Sequence, residues 1–476
     1  MVNAAAQYEA GETRREHDLL GYRDVPNQAY YGIQTLRGLE NFNISGVSLN
    51  FYPVLVEALA MVKKAAAKAN NDLGLLDDDI TTAIVIACTE IQNGKYQFHF
   101  VVDMIQGGAG TSTNMNANEV IANRALEILG FHKGEYEHCH PNNHVNLSQS
   151  TNDAYPTAVK IALYNNNQKL LQALQELIRS FKGKAREFKH VIKMGRTQLQ
   201  DAVPMTLGQE FDAYAATLEE EIKRLEENAR LFLEVNMGAT AIGTGINSDP
   251  DYAEKVIYHL RRITGLKVKN AENLVEATQD TGSFVMYSSA IKRLAVKLSK
   301  ISSDLRLLSS GPRAGFNEIN LPPMQPGSSI MPGKVNPVIP EVVNQIAFKV
   351  IGNDLTVTLA AEAGQLELNV MEPVIVQSIF ESTEMLKSGM LTLKHRCIDG
   401  ITANEETCLA MVQNSIGIVT ALNPVLGYET ASSLAKEALE SNRGVYELCI
   451  EKGLMSKEEL DRILSPESMI RPQKMK

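Results

Sequence analysis

The sequence has few cysteines and no spacing that would pair them. The five (Cys88, Cys139, Cys397, Cys408 and Cys449) form no CxxC motif and are odd in number. That argues against a disulfide framework and for free thiols in a reducing compartment. The chain also has no excess of positive charge. It carries 46 Lys and Arg against 56 Asp and Glu, a formal net charge of −10. Binding to a phosphate backbone needs a basic footprint, so no nucleic-acid partner is expected. A small anion is still allowed, because a few local cations outweigh a diffuse negative surface. No long hydrophobic run is present. The most apolar early stretch, Ile80 to Ile91, is too short and too interrupted to span a bilayer. The opening MVNAAAQYEAGETRREHDLL has no apolar signal-peptide core. The expectation is no membrane association and a cytoplasmic location. Alternating strong β-runs are missing too, which excludes a doubly wound α/β fold.

What is present is helical. The 476 residues, 44% hydrophobic and 21% charged, have room for two or three globular domains. Residues 1–20 are polar and expected to be mobile. The rest of 1–150 mixes short helical patterns with Gly- and Asn-rich turns. After Asn152 long periodicities take over. Phe284, Tyr287, Ile291, Leu294, Leu298, Ile301, Leu305 and Leu308 alternate three and four apart, a heptad seam. Phe211, Tyr214, Leu218, Ile222, Leu225, Ala229, Phe232 and Val235 do nearly the same, and residues 163–188 give a third stripe. Segments 340–363 and 373–393 start on Pro340 and Pro373, where proline is tolerated in a helix. Several such helices make a bundle, an all-α fold, and apolar faces left over call for other subunits. The division expected is 1–150, 151–405 and a small helical 406–476, where Ser456 and Glu459 form a capping box.

Four segments break the helical pattern and are dense in Gly, Ser, Thr and Asn. They are GGAGTSTNMNAN (107–118), HVNLSQSTND (144–153), GRTQLQDAVP (195–204) and GSSIMPGKVNP (327–337). The first suits a carboxylate through Thr111 and its neighbours, but composition alone favours a flexible surface loop. In the second, Ser150, Thr151 and Asn152 could hold an anion at a helix N-terminus, or Asn152 and Asp153 could simply cap that helix. The third, with Thr197 and Gln198, reads by itself as a turn between helices. The fourth has Gly327 and Gly333 at the ends of a segment that could open and close as a lid. It is not a phosphate loop, since Val335 stands where Ser or Thr is needed. Lys334 beside a serine pair suits a site that holds a carboxylate and stabilises developing negative charge. His138, His140 and His144 have no Cys or carboxylate placed to complete a metal site, so they are read as loop residues and no metal is assigned.

Together the four segments resemble the fumarase/aspartase superfamily over essentially the whole chain. GSSIMPGKVNP is specific to its fumarase and aspartase branches. GAGTSTNMN, SQSTND and Gln198 resemble the aspartase branch, as do residues 17–42 and the run GQLELNVMEPVI (364–375). One departure is Phe98-His99, where the family usually has Asp-Gln. The resemblance implies an all-α, three-domain fold whose central bundle assembles as a homotetramer with a twenty-helix core and shared active sites. It implies anti elimination of ammonia from L-aspartate to give fumarate through an aci-carboxylate, with Ser328 as general base. Thr111, Ser150, Thr151, Asn152, Thr197, Gln198, Lys334 and Asn336 would hold the substrate. It implies no required cofactor, with divalent-cation (Mg2+) activation left open. A fumarate hydratase and a non-catalytic structural protein of the same fold remain alternatives.

Overall fold

The computed structural model describes residues 11–470. Helices dominate, accompanied by four two-stranded sheets. The chain forms two compact units. One is drawn from the chain up to Leu171, Lys223–Arg293 and Phe348–Leu386; the other from Gln172–Ile222, Leu294–Ala347 and the chain from Lys387 on.

Five long helices supply residues to both units: Thr151–Glu187, Leu207–Ala229, Gly282–Leu308, Val338–Glu362 and Glu372–Arg396. The apolar stripes read from the sequence are their buried faces. All eight seam residues of Gly282–Leu308 are buried, seven of them at 1% exposure or less and Leu308 at 5%. The periodicity at 211–235 outlasts its helix. Leu207–Ala229 stops and the chain continues as a 3-10 turn, Arg230–Leu233, and a short strand, Glu234–Val235. Phe232 and Val235 are still buried there, so the apolar pattern reported burial more faithfully than helix length.

Specific contacts fix the packing. In the first unit Phe232 packs on Phe284 and Tyr287, and Tyr287 donates to Asn167 Oδ1 at 2.9 Å. In the second, Phe181, Phe211 and Tyr214 form a mutual cluster, and Tyr214 donates to Asp304. The C-terminal helices bury Val412, Leu422, Leu434, Leu448 and Leu460 together with Ile192 and Met194. Ser456 caps Lys457–Ile463 by accepting from the Glu459 N–H, as expected.

Two expectations change. Within 1–20, Thr13–Asp18 is a strand paired antiparallel with Gly21–Pro26, and Arg14 donates to the carbonyls of Pro26, Ala29 and Tyr31. The polar composition hid an ordered hairpin; residues 1–10 lie outside the described residues. The stretch 107–118 is no flexible surface loop. From Thr111 it is the first turns of the helix Thr111–Ile128, with Thr113 to Glu119 all buried. All five cysteines are free and buried. Among the described residues no single helix is long and apolar enough to cross a membrane.

Candidate functional site

The first unit holds the segments around Thr111 and Ser150. Gly108, Ala109 and Gly110 are three successive left-handed residues (φ 88°, 57° and 90°) that turn the chain into the helix beginning at Thr111. Gly110 also needs to be glycine for space, because a Cβ there would sit 2.5 Å from the Tyr155 ring. Thr111 is exposed and its hydroxyl donates to Gly108 O at 2.7 Å. One turn on, Asn114 donates to Thr151 Oγ1 at 3.2 Å.

Ser150 and Asp153 form a reciprocal cap on the helix that starts at Thr151. Ser150 Oγ accepts from the Asn152 N–H, and Asp153 Oδ1 accepts from the Ser150 N–H. The cap is therefore this pair, and Asn152 is released from it. Its side chain donates to Ala241 O at 2.7 Å. Pro156 lacks the N–H that would have bonded Asn152 O, four residues back. Asn236 Nδ2 takes that carbonyl at 2.9 Å.

Asp153 does a second job. Its Oδ2 accepts from the N–H groups of Gly238 and Thr240, joining the segment 148–153 to the run GATAIGTGIN (238–247). Both line one cleft of about 590 Å³, bounded by Ser150, Thr151, Thr240, Asn247 and the turn at Asn142 and Asn143. Behind its wall lies Lys63, fully buried, donating to the side-chain oxygens of Asn114, Asn146 and Gln149 at 2.7–2.9 Å. Burial pushes the Lys63 ammonium towards its neutral form and the Asp153 carboxyl likewise, and each charge partly offsets that for the other.

The second unit holds the other two segments. GRTQLQDAVP is more than a turn between helices. It forms a hairpin of Ile192–Thr197 and Gln200–Thr206, closed by Gln198 and Leu199 at φ 55° and 62°. Thr197 and Gln198 are exposed at the tip. The hairpin is tied down along its first strand by Glu318, which is fully buried, accepts from Arg196 next to the tip at 2.7 Å and pairs with Lys193 near the base at 2.8 Å. Arg196 also stacks on Phe316.

The loop GSSIMPGKVNP carries no regular structure before Val338. Its two ends are fastened together: Gly327 N donates to Lys334 O, and Asn336 Nδ2 donates to Gly327 O, both at 2.7 Å. A Cβ on Gly327 would lie 2.8 Å from Lys334 O and from Asn336 N, so the closure requires glycine. Ser328 Oγ accepts from the backbone N–H groups of Ile330 and Met331 at 3.2 and 3.0 Å. Such a turn is a common local motif. It also aims two N–H dipoles at one oxygen, which favours negative charge there. Lys334 is exposed, and its side chain makes no hydrogen bond or ion pair among the described residues.

Of the nine residues singled out from the sequence, Thr111, Ser150, Thr151 and Asn152 lie in the first unit, and Thr197, Gln198, Ser328, Lys334 and Asn336 in the second. Ser150 and Thr151 share the cleft. The reading from sequence missed Thr240, Asn247, Lys63 and Glu318. The run 238–247 had the same Gly- and Thr-rich composition as the other four segments and could have been found by it. The two buried charges had no local signal. The histidines are structural: His140 Nδ1 accepts from the Asn142 and Asn143 N–H groups, His144 Nδ1 accepts from His140 N, and His138 stacks on Phe131. No group of three metal-ligating side chains occurs among the described residues.

Residues 21–352 match a family model described as lyase, and residues 418–471 match one described as fumarase C C-terminus. Aspartate ammonia-lyase of Pseudomonas aeruginosa is 61% identical over 461 residues, 97% of each chain. Aspartate ammonia-lyase of Escherichia coli K12 is 56% identical over 460 residues, 96% of each. Among solved structures, a fumarate lyase:delta crystallin from Brucella melitensis bound to cobalt is 59% identical with TM-score 0.94, over 97% of this chain and all of that one. Class II fumarase from Schistosoma mansoni is 36% identical with TM-score 0.91 over the same shares.

Proposed function

The chain belongs to this lyase family, within the fumarase/aspartase superfamily, and from that premise we propose that it eliminates ammonia from L-aspartate to give fumarate. The observation that carries the substrate is its 56–61% identity to aspartate ammonia-lyases over nearly the whole of both chains. It is a carbon-nitrogen lyase.

The chemistry sets what the residues must do. The proton on C3 of aspartate is weakly acidic because the adjacent carboxylate is already ionised. Removing it puts a second negative charge on that carboxylate, as an aci-carboxylate. The C2–N bond then breaks, its electron pair leaves on ammonia, and the C2–C3 double bond forms. Ser328 is the base in this reading. Two N–H donors already face its Oγ, and they would lower the cost of the alkoxide that takes the proton. Lys334, exposed and unpaired, supplies a mobile cation for a carboxylate or for that alkoxide. Thr111, Ser150, Thr151, Asn152, Thr197, Gln198 and Asn336 supply neutral donors to the two carboxylates and the amino group, with Thr151 and Asn152 nearest the leaving side. Neutral donors suit the task, because they strengthen as charge develops without adding competing acids.

The proposal includes the division into 1–150, 151–405 and 406–476, for which the separate match at 418–471 speaks. It includes a cytoplasmic homotetramer with a twenty-helix core and active sites shared between chains. Five long helices per chain are the number that four chains need for that core. Val338–Glu362 also leaves Phe348, Ile351, Leu355 and Leu359 exposed on one face, an apolar stripe that a second chain would cover. Light scattering on the eluted protein should give four chains; a stable monomer overturns that part. The activity is tested by following fumarate absorbance in the ultraviolet with L-aspartate and then with L-malate. Signal with aspartate alone supports the reading. Signal with malate alone replaces it with a hydratase.

A further inference from the structure

We propose that Thr240 is a further substrate-binding residue, its hydroxyl donating to a substrate carboxylate in the cleft lined by Ser150 and Thr151. This rests on the elimination reading above and extends it to a segment that none of the four loop motifs contains.

Three independent observations place the residue there. First, Thr240 is only 4% exposed, and its Oγ1 is buried with no hydrogen-bond partner among the described residues. A buried hydroxyl without a partner is costly and calls for an explanation. Thr240 lines the 590 Å³ cleft, so the missing partner can come from its contents. Second, Thr240 adopts φ 56°, a left-handed conformation that β-branched residues rarely take. Such outliers persist where the surroundings over-determine them, and they cluster at binding sites. Third, the agent that holds it is known. Asp153, fully buried, accepts from the N–H groups of Thr240, Gly238 and Ser150. One carboxylate thus fixes Thr240 and Ser150 on a shared wall.

The same geometry gives the sign of the ligand. The cleft opens at the N-terminus of the 37-residue helix Thr151–Glu187, whose dipole favours an anion. No acidic side chain lines the cleft, since Asp153 is spent on three backbone donors. A hydroxyl there donates to a carboxylate.

The test compares wild type, Thr240→Val and Thr240→Ser. Valine keeps the volume and removes the hydroxyl; serine keeps the hydroxyl and removes the methyl. With L-aspartate, Thr240→Val should raise KM tenfold or more, and Thr240→Ser should recover at least half of the lost kcat/KM. Succinate, a dicarboxylate with no group to eliminate, should raise the melting temperature of wild type and not of Thr240→Val. A kcat/KM within twofold of wild type, or an equal succinate shift, overturns the assignment. If Thr240→Val does not fold, Thr240→Ala carries the same two expectations. If wild type makes no fumarate but succinate stabilises it and not the valine variant, the elimination reading fails and this one stands. If succinate stabilises both alike, this one fails whatever the activity.

Discussion

The two units carry their chemistry-bearing residues in opposite ways. In the first unit they sit on the opening turns of buried helices, braced from behind by Lys63 and Asp153. In the second they sit on an exposed hairpin tip, held just behind it through Arg196 to Glu318 and Asp201 to Ser415, and on an exposed loop fastened by the Gly327 closure. A cradle for carboxylates works best with dipoles that need no reorganisation. A base and a mobile cation gain from a segment that can approach and withdraw. In the proposed reading the residues of the first unit would serve as preset carboxylate donors, and those of the second would include the base and the cation on an exposed loop.

That contrast breaks most directly at Ser328. Its side chain makes no hydrogen bond beyond its own turn among the described residues. Ser328→Ala should therefore lower kcat by roughly 10²–10⁴-fold, the usual weight of a general base, with an unchanged melting temperature and oligomeric state. Retention of most of the activity would remove Ser328 as base. A large fall in melting temperature would show that the loop is structural after all.

Asp153→Ala is the mirror experiment. It strands three backbone N–H groups and removes the negative charge that most favours the buried Lys63 ammonium. The expected cost is roughly 3–5 kcal/mol of stability, read as a lower urea midpoint, with activity lost as a consequence. A wild-type midpoint would mean that the first unit is not braced by this carboxylate, and the contrast would fail.

The same contrast explains what the sequence could reveal. Heptad seams are readable because a helix repeats its buried face every three to four residues, and Phe284 to Leu308 are buried as spaced. The exposed loop is readable because Gly327, Ser328, Lys334 and Asn336 are neighbours in the chain. The braces are not. Lys63 meets Asn114, Asn146 and Gln149 across 51 to 86 residues, and Glu318 meets Arg196 across 122. No local pattern encodes such a meeting. Composition also misled at 107–118, where Gly, Ser, Thr and Asn marked a buried helix start and not a surface loop. Small polar residues there satisfy one another's hydrogen bonds inside the protein.

The smallest expected effect lies at His99, where the sequence departs from the family's usual glutamine. The residue belongs to the braced unit, and part of its bracing runs through the backbone: Asn116 Nδ2 donates to His99 O at 2.9 Å. The ring accepts at Nδ1 from Tyr30 N at 3.4 Å and packs against the rings of Tyr30 and Tyr96. Burial first, then the positive charges of Lys133 and Arg14, push its pKa down to about 4. The unfolded value is near 6.5. Between those two pH values the unfolded chain holds a proton that the folded chain refuses. Stability from the neutral ring is thus complete above pH 6.5 and lost as pH falls towards 4. His99→Gln keeps the backbone contact and offers an amide oxygen to Tyr30 N. The variant gives up the ring packing equally at every pH, and should lose less further stability on acidification, by under one proton's worth, ~1.4 kcal/mol per pH unit. Urea midpoints measured from pH 7 to 4 decide it. Parallel curves would show that the ring is not titrating on unfolding, and that this corner of the braced unit is looser than its backbone contacts imply.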